Sequence, residues 1–203
     1  MKKLDKKICI LTGSRGDYDL LKPVIKKLYL SKKFRVNTVV TGSHLIKNYS
    51  NIPLFKKDKI LINKRVKIKY RSDSNSSILK YISEGIKKFD KLFSKEKYDL
   101  LLVLGDRYEI YSAVLSAYFN KLPIAHLSGG EVTEGAYDES IRHSITKFSS
   151  FHFVANYLYK KRVEQLGENK KYIYNVGSTG VENLNNFLFI EKQKIEKKLN
   201  FLF

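Results

Sequence analysis

Short apolar runs alternate with longer segments of helical period along most of the chain. The run Leu100–Leu104 is wholly apolar, which is typical of a strand covered on both faces. In Asp17–Leu30 the apolar residues recur every three or four positions, which predicts an amphipathic helix. Repeated β-α alternation with short loops favours an α/β fold, a Rossmann-like parallel sheet with helices on both faces.

The same patterns predict a strand or a helix over most of the chain. Predicted strands are Lys7–Leu11, Phe34–Thr41, Arg65–Tyr70, Leu100–Leu104, Leu122–Leu127, Phe151–Ala155 and Tyr172–Val176. Predicted helices are Asp17–Leu30, Ser76–Phe93, Tyr108–Phe119, Tyr137–Phe148, Tyr157–Gln165 and Glu182–Leu199.

Glycines and polar residues follow five of the predicted strands. Ligands of open parallel sheets bind outside the carboxyl ends of the strands, so these segments predict one continuous ligand edge. They are 13–17 (GSRGD), 42–44 (GSH), 105–107 (GDR), 126–139 and 177–179 (GST).

Composition narrows the class of protein. The net charge is +19 over 203 residues, but lysines occur in every segment, which favours a solvated surface over a nucleic-acid partner. The chain lacks a run of about 18 apolar residues, and its first apolar run is too short for a signal peptide, so we expect a cytoplasmic protein without membrane contact. The single cysteine, Cys9, fits a small buried hydrophobe.

The segment GSRGDY after the first strand has two interpretations. It is neither a dinucleotide fingerprint nor a Walker A loop. Its glycines and the following helix N-terminus suit a phosphate, with Arg15 pairing to a diphosphate. Alternatively it is a tight turn with Asp17 as N-cap.

Two further segments carry candidate acids and bases. Asp106 follows a buried strand, where an acid either caps the next helix or acts as a base with a raised pKa. The segment 126–144 (HLSGGEVTEGAYDESIRHS) lacks zinc-ligand spacing, which argues against a metal site. Glu139 and His143 have helical i, i+4 spacing, whereas Glu131 lies in a glycine-rich loop where no local structure requires an acid. We expect some of these acids to cap helices and at least one to transfer a proton.

Long collinear motifs resemble the UDP-N-acetylglucosamine 2-epimerase family, in particular its hydrolysing branch in sialic and legionaminic acid biosynthesis. They are TGSRGDYDLL (12–21), VTGSHL (40–45), LVLGDRYE (102–109), PIAHLSGGEVTEGAYDESIRHSITK (123–147), HFVA (152–155) and NVGSTGVENL (175–184). The resemblance implies a two-domain, glycosyltransferase-B-like fold with a UDP-sugar in the cleft. It also implies removal of the sugar C2 proton with loss of UDP, then hydration to N-acetylmannosamine, without a cofactor.

Site residues carry over from the family by position. The resemblance implies catalytic roles for Asp106, Glu131 and Asp138, and leaves Glu139 as a cap. It implies substrate contacts for Arg15, Asp17, His44, Arg107, Arg142, His143, Ser178 and Thr179. Ser128 departs from the pattern, because some members carry a glutamate there. Catalysis would then shift to Glu131, or the substrate would be another sugar such as UDP-N,N′-diacetylbacillosamine.

The resemblance also bears on domains and partners. We expect an epimerase domain at 1–180 and, at 181–203, a helix leading to a second domain that this sequence lacks. A homo-oligomer is expected of the complete protein, and a separate C-terminal half is a candidate partner. The alternatives are an inactive fragment and, less favoured, a polyanion-binding protein.

Overall fold

The chain alternates between strands and helices from Lys6 onward. A computed structural model describes residues 6–31, 33–135, 137–185 and 191–201. The strands are β1 (Lys6–Thr12), β2 (Phe34–Val40), β3 (Ile62–Arg65), β4 (Leu100–Leu104), β5 (Ile124–Leu127), β6 (Phe151–Val154) and β7 (Ile173–Asn175). The helices are α1 (Arg15–Leu30), α2 (Ile52–Lys57), α3 (Asn75–Lys95), α4 (Tyr108–Phe119), α5 (Tyr137–Phe148), α6 (Tyr157–Gln165), α7 (Thr179–Asn185) and α8 (Lys192–Leu199). Short 3-10 turns occupy Gly42–Leu45, Lys47–Tyr49 and Lys170–Tyr172.

The seven strands form one sheet in the order β3-β2-β1-β4-β5-β6-β7, and every pair is parallel. This confirms the predicted Rossmann-like fold. β2 and β3 follow β1 on one side of it, and β4 then pairs with the other side of β1. The switch point between β1 and β4 is where an open sheet of this kind leaves a crevice for ligands.

Apolar residues cover both faces of the sheet, as the sequence of β4 predicts. Leu101 and Val103 face a cluster formed with α3, α4 and α5, while Leu102 and Leu104 face a cluster formed with α1 and α2. Cys9 is fully buried, in agreement with its expected role as a small hydrophobe.

The predictions differ from the structure in three places. The third strand is Ile62–Arg65, not Arg65–Tyr70. Val66 and Ile68, which follow it, are buried like strand residues. Among the described residues, however, the backbone hydrogen bond from Val66 N to Val40 O is the last one that pairs this segment with β2. The short helix α2 was not predicted. The single helix predicted over Glu182–Leu199 is also wrong, because α7 begins at Thr179 and Glu191 caps a separate helix; residues 186–190 lie outside the described residues.

Helix α7 lies against α1. Lys27 on α1 contacts Glu182 at 2.6 Å, and Asn183 donates a hydrogen bond to the Asp19 carbonyl at 2.7 Å. Within the described residues, no helix has both the length and the apolar character needed to cross a membrane.

Candidate active site

Asp106 stands just beyond β4 at the switch point and is bound by a buried arginine. Arg142, from the second turn of α5, donates from Nη2 to Asp106 Oδ2 and to Thr133 Oγ1 (3.0 Å). Its Nη1 donates to the backbone carbonyl of Glu131 at 2.9 Å. The guanidinium of Arg142 therefore joins three segments: the end of β4, the loop after β5, and α5. Arginine suits this position because its planar group donates several hydrogen bonds in fixed directions.

Burial raises the pKa of both acids in this cluster. For Asp106 the rise from desolvation outweighs the lowering by Arg142, and the Asp138 carboxylate adds to the rise. For Glu131 desolvation is again the main cause, Arg142 and a hydrogen bond from Ser128 oppose it, and Asp106 adds to it. Two neighbouring carboxyls with raised pKa values are a feature of acid-base sites. Ser128, the departure from the family pattern, thus contacts Glu131.

His126 supports this cluster from the centre of β5. It is fully buried, and burial lowers its pKa to about 3, so the ring is neutral. Nε2 lies 2.8 Å from the Gly105 carbonyl, which can only accept, so Nε2 carries the proton. Nδ1 lies 3.2 Å from Thr146 Oγ1 on α5. His126 therefore ties the peptide before Asp106 to the helix that carries Arg142.

Asp138 and His143 lie on α5 near this cluster without joining its hydrogen bonds. Asp138 is exposed in the first turn of α5, and its negative charge contributes to the raised pKa of Asp106. His143 Nε2 lies 3.5 Å from Glu139 Oε1, the expected i, i+4 pair. Glu139 lies in the first turn of α5. The residue before this helix, Ala136, lies outside the described residues, so the role of Glu139 as a cap stays a prediction.

A second acidic centre was missed by sequence reasoning. Glu109, in the first turn of α4, is 1% exposed and accepts a hydrogen bond from Arg107 Nε at 2.6 Å. Gly13 and Gly42 end β1 and β2 beside it, and a Cβ on either would approach Glu109 Oε1 within 2.7 Å. These two strand-end glycines were the available signal that a bulky group faces both strands.

Asp17 and His44 stabilise the turns that follow β1 and β2, beside Glu109. Ser14, not Asp17, is the N-cap of α1, and Asp17 closes a capping box by accepting from the Gly13 and Ser14 amides. His44 is fully buried with Nε2 3.0 Å from Thr12 Oγ1, and burial lowers its pKa to about 4. Both side chains hold the turns of the ligand edge, and their contact with substrate stays a prediction.

The remaining predicted contacts lie away from Asp106. Arg15 projects from α1 with 69% of its side chain exposed, its Nε 3.5 Å from Asp19. It lines a cavity of about 680 Å³ together with Asn183 of α7. Ser178 and Thr179 follow β7, at the far edge of the sheet. The structure thus brings together Asp106, Glu131, Arg142 and Arg107, but not these residues.

The described residues contain no group of three or more histidine, cysteine or acidic side chains placed to hold a metal ion.

Curated relatives and solved structures match nearly all of this chain. It is 40% identical over 194 residues to polysialic acid biosynthesis protein P7 of Escherichia coli, covering 95% of this chain and 50% of that protein. It is 36% identical to the GDP/UDP-N,N′-diacetylbacillosamine 2-epimerase (hydrolyzing) of Campylobacter jejuni, over 96% and 50% of the two chains. The chain therefore spans about half the length of these relatives.

The fold agrees with that of solved epimerases. The crystal structure of UDP-GlcNAc 2-epimerase from Neisseria meningitidis, bound to UDP-GlcNAc, superposes with a TM-score of 0.78 at 19% identity, over 94% of this chain and 50% of that one. This supports the expectation that the sheet is one part of a larger, glycosyltransferase-B-like fold. Residues 26–202 match the UDP-N-acetylglucosamine 2-epimerase family, and the chain belongs to that family.

Proposed function

We propose that the chain carries the acid-base residues of a hydrolysing UDP-N-acetylglucosamine 2-epimerase. The observation that carries the proposal is the Asp106–Arg142–Glu131 cluster at the switch point, with both carboxyl pKa values raised by burial. A base with a raised pKa takes a weakly acidic proton more readily than an ordinary carboxylate.

The two carboxyls have different surroundings, which suggests different roles. Arg142 binds the side chain of Asp106 but only the backbone of Glu131, so Asp106 is the better stabilised as an anion. Asp106 then takes the proton from C2 of the sugar while the C1–O bond breaks and UDP leaves with its electron pair, which gives a 2-acetamidoglycal. Glu131 keeps a proton and delivers it to C2 from the opposite face, while the oxygen of water bonds to C1. The proton that this water loses returns to the Glu131 carboxylate, and Asp106 releases its own proton to solvent. The products are the C2-inverted free sugar and UDP.

UDP-N,N′-diacetylbacillosamine is a second candidate substrate. The Campylobacter relative, 36% identical, is named for that sugar. In addition, Ser128 stands where some family members carry a glutamate, and it contacts the proposed acid Glu131.

The isolated chain is expected to turn over substrate slowly or not at all. It spans about half of its relatives, and a cleft with one wall positions a nucleotide-sugar poorly. We propose that residues 1–180 form the epimerase domain and that a second domain, in the same protein or in a partner chain, completes the cleft.

Incubation with each UDP-sugar in deuterated water tests the function. UDP release accompanied by deuterium at C2 is the expected result once the second domain is supplied. UDP release without deuterium at C2 would show simple glycosyl hydrolysis and would contradict the proposal.

A further inference from the structure

The loop 128–131, which carries the proposed acid Glu131, is held by arginines from two helices. Arg142 on α5 donates to the carbonyl oxygen of Glu131 at 2.9 Å. Arg162 on α6 donates from Nη1 to the carbonyl oxygen of Gly130. These two carbonyls lie on either side of the Glu131 Cα atom. Together the arginines therefore fix the backbone from which the Glu131 carboxyl projects.

The same loop packs directly on the backbone of α6. Gly130 has a φ of +80°, and a Cβ there would lie 2.5 Å from the Tyr159 carbonyl oxygen and 2.9 Å from Val163 Cγ2. Val163 is fully buried against β6 and β7. Helix α6 is thus a fixed support for the loop, and the hydrogen bond from Arg162 fastens the loop to it.

The backbone conformation of the loop needs such support. Ser128 and Gly130 both have positive φ, +62° and +80°. A serine is strained in this conformation, and strain of this kind persists only where the surrounding structure holds it. Without Arg162, the strained loop would lose one of the two arginines bound to its carbonyls, at the peptide immediately before Glu131.

Arg162 is itself held in place on α6. Its guanidinium carbon lies 5.8 Å from the centroid of the Tyr159 ring, a cation–π distance. A guanidinium donates in fixed directions, which suits a bond that sets the position of one carbonyl. Burial is the main cause of the raised pKa of Glu131. Arg162 therefore acts on this acid through the backbone, by determining how deeply its carboxyl is buried.

We propose that Arg162 is a positioning residue for Glu131. By holding the Gly130 carbonyl against α6, it keeps the Glu131 carboxyl in the half-buried place near Asp106 from which its proton is delivered to C2 of the sugar. This inference rests on the proposed function, because the position of Glu131 matters to the reaction only if Glu131 is the acid.

Carboxyl-carbon NMR titration of the 203-residue chain tests this role without substrate. Arg162→Met removes the hydrogen bond to Gly130, so the Glu131 carboxyl should become more solvated and its pKa should fall toward the ordinary value of glutamate. Asp106, whose side chain is held by Arg142, should keep its raised pKa in the same spectra.

Two further variants make this measurement specific. Lys161→Met removes the neighbouring cation of α6, which lies over the Tyr157 ring, and as the matched control it should leave the pKa of Glu131 unchanged. Arg162→Lys keeps the charge but replaces the planar fork by a compact ammonium. The pKa of Glu131 should therefore fall less in Arg162→Lys than in Arg162→Met.

Gly130→Ala displaces the loop without changing Arg162. The added Cβ pushes the loop away from the Tyr159 carbonyl, so the pKa of Glu131 should fall in this variant as well. An unchanged pKa of Glu131 in Arg162→Met, or in Gly130→Ala if Arg162→Met does not fold, would overturn the proposal. Equal falls for Glu131 and Asp106 would also overturn it, because they would show a general loosening of the site.

Product analysis in deuterated water separates this inference from the proposed function. The chain is combined with the part of the Escherichia coli relative that it does not cover and is given UDP-N-acetylglucosamine. Because Glu131 acts after UDP has left, Arg162→Met should lower the ratio of C2-inverted sugar to free 2-acetamidoglycal at least about tenfold. An unchanged ratio would contradict the role of Arg162 alone. UDP release by the wild type without deuterium at C2 would contradict the proposed function, while the titration would still decide whether Arg162 positions Glu131.

Discussion

Arg142 binds the side chain of Asp106, 36 residues earlier in the chain, and joins α5 to the end of β4. Both side chains are largely withdrawn from solvent, with 7% and 17% exposure. The pair fixes one candidate catalytic carboxyl at the switch point, so its removal should affect both stability and protonation.

Replacement of this arginine should raise the pKa of Asp106. Arg142→Met removes the positive charge that opposes desolvation, and it leaves a buried carboxylate unpaired, which should lower the free energy of unfolding by about 3 kcal/mol. Carboxyl-carbon NMR titration and urea unfolding measure the two effects. Arg35→Met, an exposed position near the opposite end of β2, is the control and should stay within about 0.5 kcal/mol. An unchanged pKa of Asp106 would contradict the assignment of this pair.

The hydroxyl of Ser128 should tune Glu131. Ser128→Ala removes a hydrogen bond that lowers the pKa of Glu131, so this pKa should rise further from its ordinary value. The same carboxyl-carbon titration measures it. Ser144→Ala, which removes only a bond to the Ser140 carbonyl within α5, should leave the pKa of Glu131 unchanged. A fall in the pKa after Ser128→Ala would show that the hydroxyl does not stabilise the carboxylate.

Two glycine substitutions should separate the cost of backbone strain from the cost of a steric clash beside Glu109. Gly42 and Gly177 both have positive φ, +58° and +80°. A Cβ at Gly177 meets no atom within 4 Å, so Gly177→Ala should cost only the left-handed conformation, about 1–2 kcal/mol. Gly42→Ala adds contacts with Glu109 and the Gly13 carbonyl and should cost at least about 1 kcal/mol more. Urea unfolding of both variants gives the comparison, and equal losses would mean that neither Glu109 nor the Gly13 carbonyl closes this space.

Two buried histidines should make the protein less stable in mild acid. Burial lowers the pKa of His44 to about 4 and of His126 to about 3, below the ordinary value of about 6.5. Between pH 6.5 and 4 the unfolded chain binds more protons than the folded one. Each histidine should therefore lower the free energy of unfolding by about 1.4 kcal/mol for each pH unit of acidification.

Urea unfolding of His44→Gln from pH 8 to pH 4.5 checks this origin. Its slope below pH 6.5 should be smaller than that of the wild type by about 1.4 kcal/mol per pH unit, while the slopes above pH 7 should agree. Identical slopes in mild acid would show that His44 is not buried as a neutral ring.

Much of this fold was predictable because its strongest signals are local. The apolar run of β4 and the helical period of α4, α5 and α6 place these elements at the predicted residues. The third strand was misplaced because Val66 and Ile68 alternate and are buried like strand residues, although the paired backbone lies just before them.

The candidate site was only partly predictable. Strand ends and the family motifs identified Asp106, Glu131 and Arg142, which lie together in the structure. Glu109 was missed because its partners Gly13 and Gly42 come from two other strands, so no local spacing marks it. Likewise the local sequence does not distinguish Asp17, which completes a capping box, from the candidate catalytic acid Asp106, because the two differ in what surrounds them in three dimensions.

The most direct test is proton exchange at C2 of the sugar with and without the Asp106 carboxylate. The chain is combined with the part of the Escherichia coli relative that it does not cover and is given UDP-N-acetylglucosamine in deuterated water. The control Asp99→Asn alters an exposed acid just before β4, at the opposite end of that strand. We expect the wild type and Asp99→Asn to release UDP and place deuterium at C2, and Asp106→Asn to lose both at least about a hundredfold. Full deuterium incorporation by Asp106→Asn would contradict a role for Asp106 as the base.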